Sequence, residues 1–140
     1  MDKQTVLIVG AGALGVVTGY HLALAGAEIT FLVRPGRLKD LQKPQQLYCF
    51  DDNETRTFSA YSSIASADEA AEKQYDFVLL TLDGASCCSE EGQTLLQSLG
   101  EAIRPGDAVL VVCGMDVREH CREMTGLPGE RVLEGTQRML

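Results

Sequence analysis

Apolar residues along this chain fall in blocks. Val6, Leu7, Ile8 and Val9 form a run without a polar interruption. A strand with no polar face must be covered on both sides, as a central strand of a parallel sheet is. Comparable runs recur at residues 29–33, 76–82 and 108–112. Between them the spacing changes to a helical one. Leu14, Val17, Leu22 and Leu24 predict a helix after the first strand, and Gly26 stands where it would stop. A second long helix is predicted over residues 86–103, with Leu95, Leu96 and Leu99 facing inward. Strands alternating with helices predict an α/β fold with a doubly wound parallel sheet.

The intervening segments are shorter. Residues 36–41 predict a short helix that stops before Pro44. Residues 47–61 read as a β-hairpin turning at Asp51-Asp52-Asn53-Glu54, with a strand after it. Ser66 or Asp68 is expected to cap a short helix through Ala71. Residues 116–124 predict another, and Arg131-Val132-Leu133 a last edge strand. No repeat or linker divides the chain, so residues 1–140 read as one domain.

The first apolar run ends in Gly10-Ala11-Gly12-Ala13-Leu14-Gly15, a G-x-G-x-x-G. Gly10 permits the tight turn out of the strand. Gly12 lets a pyrophosphate approach the backbone, and Gly15 lets the helix lie against the strand. The unpaired N–H groups and the dipole at the helix start favour that anion. The motif alone is weak evidence. A buried strand before it and a helix and second strand after it favour dinucleotide binding over a glycine-rich turn in a nucleotide-free domain.

The second strand, residues 29–33, ends at Arg34 rather than at a carboxylate. In dinucleotide folds this strand end reaches the adenosine ribose. An acid there suits the 2′-hydroxyl of NAD, and an arginine suits the 2′-phosphate of NADP. Arg37 and Lys39 follow closely. This cluster points to NADP as the cofactor, against the alternative of a solvated basic turn.

Charge changes the picture in one respect. The chain has 12 Lys and Arg against 20 Asp and Glu, a formal net charge of -8. Nucleic acid is therefore not expected as a partner, and a phosphorylated ligand needs a locally positive site. No run is long enough to cross a bilayer, and no leader precedes the first strand, so a cytoplasmic protein without membrane contact is expected. Cys49, Cys87, Cys88, Cys113 and Cys121 are irregularly spaced and are expected as free thiols. No metal site is expected. The nearest approach to one is His120-Cys121 with Cys113. Cys113, at a strand end, and Cys87-Cys88 leave a thiol-reactive role as a minor alternative.

VLIVGAGALG, FLVRPGR, DFVLLTLD, the strand ending in Cys113-Gly114-Met115 and the closing RVLEGTQ resemble the N-terminal domain of the ketopantoate reductase (2-dehydropantoate 2-reductase) family. The resemblance covers residues 5–137. It implies a Rossmann domain that precedes a helical domain, with the active site between them. It implies reduction of 2-dehydropantoate, or another 2-oxo acid, by NADPH, on the route to pantothenate. It also implies that Gly10, Ala11, Gly12, Ala13, Leu14 and Gly15 hold the pyrophosphate and Arg34 the 2′-phosphate. Leu82, Asp83, Cys113 and Gly114 would approach the rest of the cofactor.

Two positions depart from the family pattern. Asp83 stands where a lysine is usual, and Cys113 where an asparagine is usual. An anion in place of a cation near a phosphorylated cofactor weakens binding or alters its geometry. Loss of the amide removes a donor and an acceptor together. The family's helical domain, which supplies the general-acid lysine and the substrate-orienting carboxylate, is absent from these 140 residues. No catalytic residue is therefore assigned within them. The expected function is the NADP(H)-binding part of such an oxidoreductase; the alternative is a non-catalytic NADP-sensing or protein-interaction module. An apolar patch at residues 82–85 and 114–117, with Met139 and Leu140, is expected to meet the missing helical domain or a second copy.

Overall fold

In the computed structural model, which describes residues 3–135, the strands are β1 (Thr5–Val9), β2 (Glu28–Leu32), β3 (Gln45–Cys49), β4 (Glu54–Phe58), β5 (Ser62–Ile64), β6 (Phe77–Leu80), β7 (Val109–Val112) and β8 (Val132–Glu134). The α-helices are α1 (Ala13–Leu24), α2 (Leu38–Leu41), α3 (Gly84–Cys88), α4 (Glu90–Ile103) and α5 (Arg118–Thr125). Six strands form one sheet in the order β5-β2-β1-β6-β7-β8. Every neighbouring pair in it is parallel. The hairpin β3-β4 is antiparallel and stands apart from that sheet. The doubly wound Rossmann-like α/β fold expected from the alternating blocks is the fold observed.

β1 explains why its run has no polar face. Its side chains alternate between two cores. Val6 and Ile8 pack on one side with Val16, Ile29, Phe31 and Phe58. Leu7 and Val9 pack on the other with Val78, Leu80, Leu96 and Leu99. Burying each such side chain contributes roughly 1.5–3 kcal/mol, so a polar residue anywhere from Val6 to Val9 would cost one core or the other. The chain first builds outward from β1 to β2 and β5. It then crosses to β6 on the other side of β1. This reversal leaves a crevice beyond the carboxyl ends of β1 and β6, where open α/β sheets take their ligands.

Three helices differ from the sequence pattern. In α1 the buried residues are Gly15, Val16 and Gly19. Leu14, Val17 and Leu24 are exposed instead. A Cβ added at Gly19 would stand 2.8 Å from Phe31 and 3.2 Å from Ile8. Those large sheet side chains fill the gap, so the helix approaches through its small residues. The helix predicted over residues 86–103 is two helices, α3 and α4. Ser89 is extended (φ -68°, ψ 163°), and its Oγ accepts from the Gly92 N–H, starting α4 afresh. Leu96 and Leu99 face inward as expected, while Leu95 is half-buried. The third helix starts later than predicted, at Arg118, because Asp116 takes a left-handed turn (φ 58°).

The segment after β5 is a 3-10 helix, Ala67–Glu72, and Ser66 rather than Asp68 caps it. The apolar patch expected at residues 114–117 is reduced to Met115, because Gly114 and Val117 are buried. Met139 and Leu140 lie outside the described residues.

Candidate nucleotide-binding groove

A groove of about 990 Å³ opens beyond the carboxyl ends of β1, β2 and β6. That is the upper end of the range of small-molecule sites, roughly 300–1,000 Å³. Val9, Gly10, Ala11 and Gly12 form its floor. Arg34, Pro35 and Arg37 form one rim; Leu82, Ser86, Ser89, Glu90 and Glu91 form the other. A smaller hollow of about 190 Å³ lies by Tyr75, Pro105 and Ala108, near the amino ends of β6 and β7. None of the expected site residues lines it.

The floor is shaped by backbone bonds. Gly10 has φ 104°, and a Cβ there would lie 2.6 Å from Thr81 Oγ1. Only glycine suits both conditions. The Gly10 N–H donates to the Leu32 carbonyl at 2.9 Å, and Thr81 Oγ1 donates to the Val9 carbonyl at 2.7 Å. These bonds tie the loop to β2 and β6. Gly12 faces the other way: nothing stands within 4 Å of where its Cβ would be. It is the N-cap of α1, without a side-chain cap, and no acidic residue occupies the first turn. By contrast, Asp83 caps α3 and Ser89 caps α4. The donors at the start of α1 therefore remain for an anion. An open approach at Gly12 and uncapped donors behind it fit a dinucleotide pyrophosphate.

The rims carry mixed charge. Arg37 Nη2 donates to the Ala11 carbonyl at 3.3 Å, and its Nε lies 3.1 Å from Asp40 Oδ2. Arg34 reaches across to α4, where its Nη2 lies 3.1 Å from Glu91 Oε2. The local positive field expected of a phosphate site is thus two arginines facing Glu90 and Glu91.

The groove brings together Gly10, Ala11, Gly12, Arg34 and Leu82 among the residues predicted from sequence. Ala13, Leu14 and Gly15 belong to α1 and are not in its wall, nor is Lys39. Asp83, Cys113 and Gly114 lie beyond it. Asp83 turns its carboxylate onto its own helix: Oδ1 accepts from the Ser86 N–H at 2.7 Å. That bond, with the Ser86 side chain, holds the Asp83 carboxyl below its usual value. Gly114 packs on the turn after β6, where its Cβ would lie 3.1 Å from the Leu82 carbonyl oxygen and 3.3 Å from the Gly84 nitrogen. Cys113 is half-buried, and burial pushes its thiol up, away from the reactive thiolate. His120 Nε2 lies 2.9 Å from the Cys87 carbonyl oxygen. Among the described residues no three potential metal-binding side chains cluster, and no helix is long and apolar enough to cross a membrane.

The residues that sequence reasoning missed are those at the start of α4. Their signal was present: Ser89 followed by Glu90 and Glu91 is how a helix begins. It lay inside a stretch read as continuous helix.

Solved structures share this fold. A Ralstonia solanacearum structure assigned to ketopantoate reductase superposes with a TM-score of 0.74 at 24% identity, over 99% of this chain and 46% of that one. The 2-dehydropantoate 2-reductase of Methylococcus capsulatus gives 0.70 at 22%, over 97% of this chain and 41% of that one. A D-mandelate dehydrogenase bound to NADH and anilino(oxo)acetate gives 0.73 at 16%, over 95% and 40%. The chain thus spans less than half the length of these proteins. No curated protein matches the sequence. The family model for ketopantoate reductase PanE/ApbA matches residues 6–137. The chain, with its glycine loop at the crevice between β1 and β6, belongs to the ketopantoate reductase family of NAD(P)-dependent oxidoreductases.

Proposed function

We propose that residues 1–140 are the NADP(H)-binding domain of a ketopantoate-reductase-like oxidoreductase. The whole protein would transfer hydride from NADPH to a 2-oxo acid such as 2-dehydropantoate, in the cytoplasm. The observation that carries this reading is the groove itself. An open, uncapped glycine loop forms its floor, and Arg34 stands on its rim at the end of β2. NADPH, when bound, supplies the hydride; the chain's own residues bind and orient it. Gly12 and the first turn of α1 would receive the pyrophosphate. Arg34, with a fork of donors that matches phosphate oxygens, would receive the 2′-phosphate, and Arg37 adds charge beside the loop.

Calorimetry with NADPH and NADH tests the reading. Arg34→Ala should lower NADPH affinity by about one to two decades and NADH affinity little, with the difference shrinking as salt rises. Equal losses for both cofactors would make Arg34 a solvated turn residue.

A further inference from the structure

Arg34 and Glu91 come from opposite rims of the groove, 57 positions apart in the chain. Arg34 follows β2, and Glu91 sits in the first turn of α4, positioned by the Ser89 cap. We propose that Glu91 is a specificity-determining residue for the 2′ position of the cofactor. It offers a carboxylate to the unphosphorylated ribose and opposes the phosphorylated one. This inference rests on the reading of the groove as a nucleotide site with Arg34 at its 2′ end.

Dinucleotide folds that prefer NAD place an acid at the end of the second strand, where it accepts from the ribose 2′-hydroxyl. β2 here runs into Val33 and Arg34 with no acid. Glu91 brings a carboxylate to the Arg34 guanidinium from the facing helix, with its Oε2 3.1 Å from Arg34 Nη2. A 2′-phosphate must take over the donors of Arg34 and then lies beside the Glu91 charge. Glu90, on the same rim, adds a second negative charge. A 2′-hydroxyl meets no such opposition and gains an acceptor. Both side chains are more than 80% exposed (83% for Arg34, 81% for Glu91). Their mutual ion pair is therefore weak in water and exchanges readily. Its influence appears when a ligand enters and displaces that water. The site accepts both cofactor forms, with the preference for NADPH held down by Glu91.

The test is Glu91→Gln, which keeps the shape of the side chain and removes its charge. Binding of NADPH, NADH, adenosine 2′,5′-bisphosphate and AMP is measured by calorimetry on the 140-residue chain. NADPH and the bisphosphate should bind about three- to tenfold more tightly, the scale of one screened surface charge pair. NADH and AMP should bind equally or less well. Glu90→Gln, which removes a charge that does not touch Arg34, should change the ratio less. An unchanged NADPH-to-NADH ratio in Glu91→Gln, or an equal gain at Glu90, overturns the role of Glu91. If Arg34→Ala still weakens NADPH selectively in that case, the reading of the groove stands. Failure of the wild-type chain to bind any of the four overturns both.

Discussion

Gly15 lies directly against Gly10: a Cβ built on Gly15 would stand 2.3 Å from the Gly10 carbonyl oxygen. The first turn of α1 and the end of β1 therefore share a contact that admits no side chain. Gly15→Ala should force the helix off the strand. Overpacking of this kind costs about 1–3 kcal/mol. A urea titration followed by circular dichroism should show a lower midpoint with an unchanged slope.

Gly12 should behave in the opposite way. Open space surrounds its Cβ position, and its φ of -76° suits any residue. Gly12→Val should leave the unfolding midpoint close to wild type and abolish NADPH binding by filling the approach to the loop. Undiminished binding in calorimetry would place the pyrophosphate elsewhere.

The 140-residue chain should bind NADPH without turning it over. The lining of the groove contains no lysine, histidine, tyrosine or cysteine among the described residues. Its arginines are poor proton donors, and its two glutamates stand on the rim that faces Arg34. General acid catalysis typically contributes about 10²–10⁴-fold. Absorbance at the nicotinamide band should stay flat when 2-dehydropantoate or another 2-oxo acid is added. Steady consumption dependent on the oxo acid would refute this.

Asp83 should make the turn beside the groove acid-sensitive. Its carboxyl is held below the ordinary aspartate value of 3.8 by the Ser86 N–H and side chain. A depressed pKa stabilises the fold above the unfolded value and loses that stabilisation as pH falls through the folded value. Melting temperatures recorded from pH 7 to pH 3 should therefore fall less steeply for Asp83→Asn, which caps without titrating. Asp83→Ala should be less stable than either at neutral pH. Parallel pH profiles for wild type and Asp83→Asn would show that the charge is immaterial.

Elements whose burial follows their own composition were legible in the sequence. β6, β7 and the Val6–Val9 run of β1 are apolar because both faces of the sheet are covered there, and β2 is buried from Ile29 to Leu32. The turn at Gly10 and the close packing at Gly15 follow from the motif and its flanks. The inward face of α1 was not legible, because large side chains of the sheet decide it. Phe31 and Ile8 occupy the space that leucines of α1 would otherwise fill, so glycines go in and leucines stay out. The meeting of Arg34 with Glu91 was hidden for another reason. It depends on the break at Ser89, which aims the start of α4 at the end of β2, and periodicity does not register such a break when helix resumes at once.

The two ends of the groove are built from different materials. The glycine-loop end is fixed by main-chain bonds, Gly10 N–H to the Leu32 carbonyl and Thr81 N–H to the Val9 carbonyl. The Arg34 end is made of two exposed side chains that pair with each other. If Arg34 and Glu91 read the 2′ position as proposed, cofactor preference is uncoupled from foldability. Single substitutions at residues 34 and 91 would then carry a lineage between phosphorylated and unphosphorylated nucleotides, in small steps and in either direction, without crossing an unfolded intermediate genotype. Gly10 and Gly15 allow no such drift, because a side chain at either would collide with its neighbours.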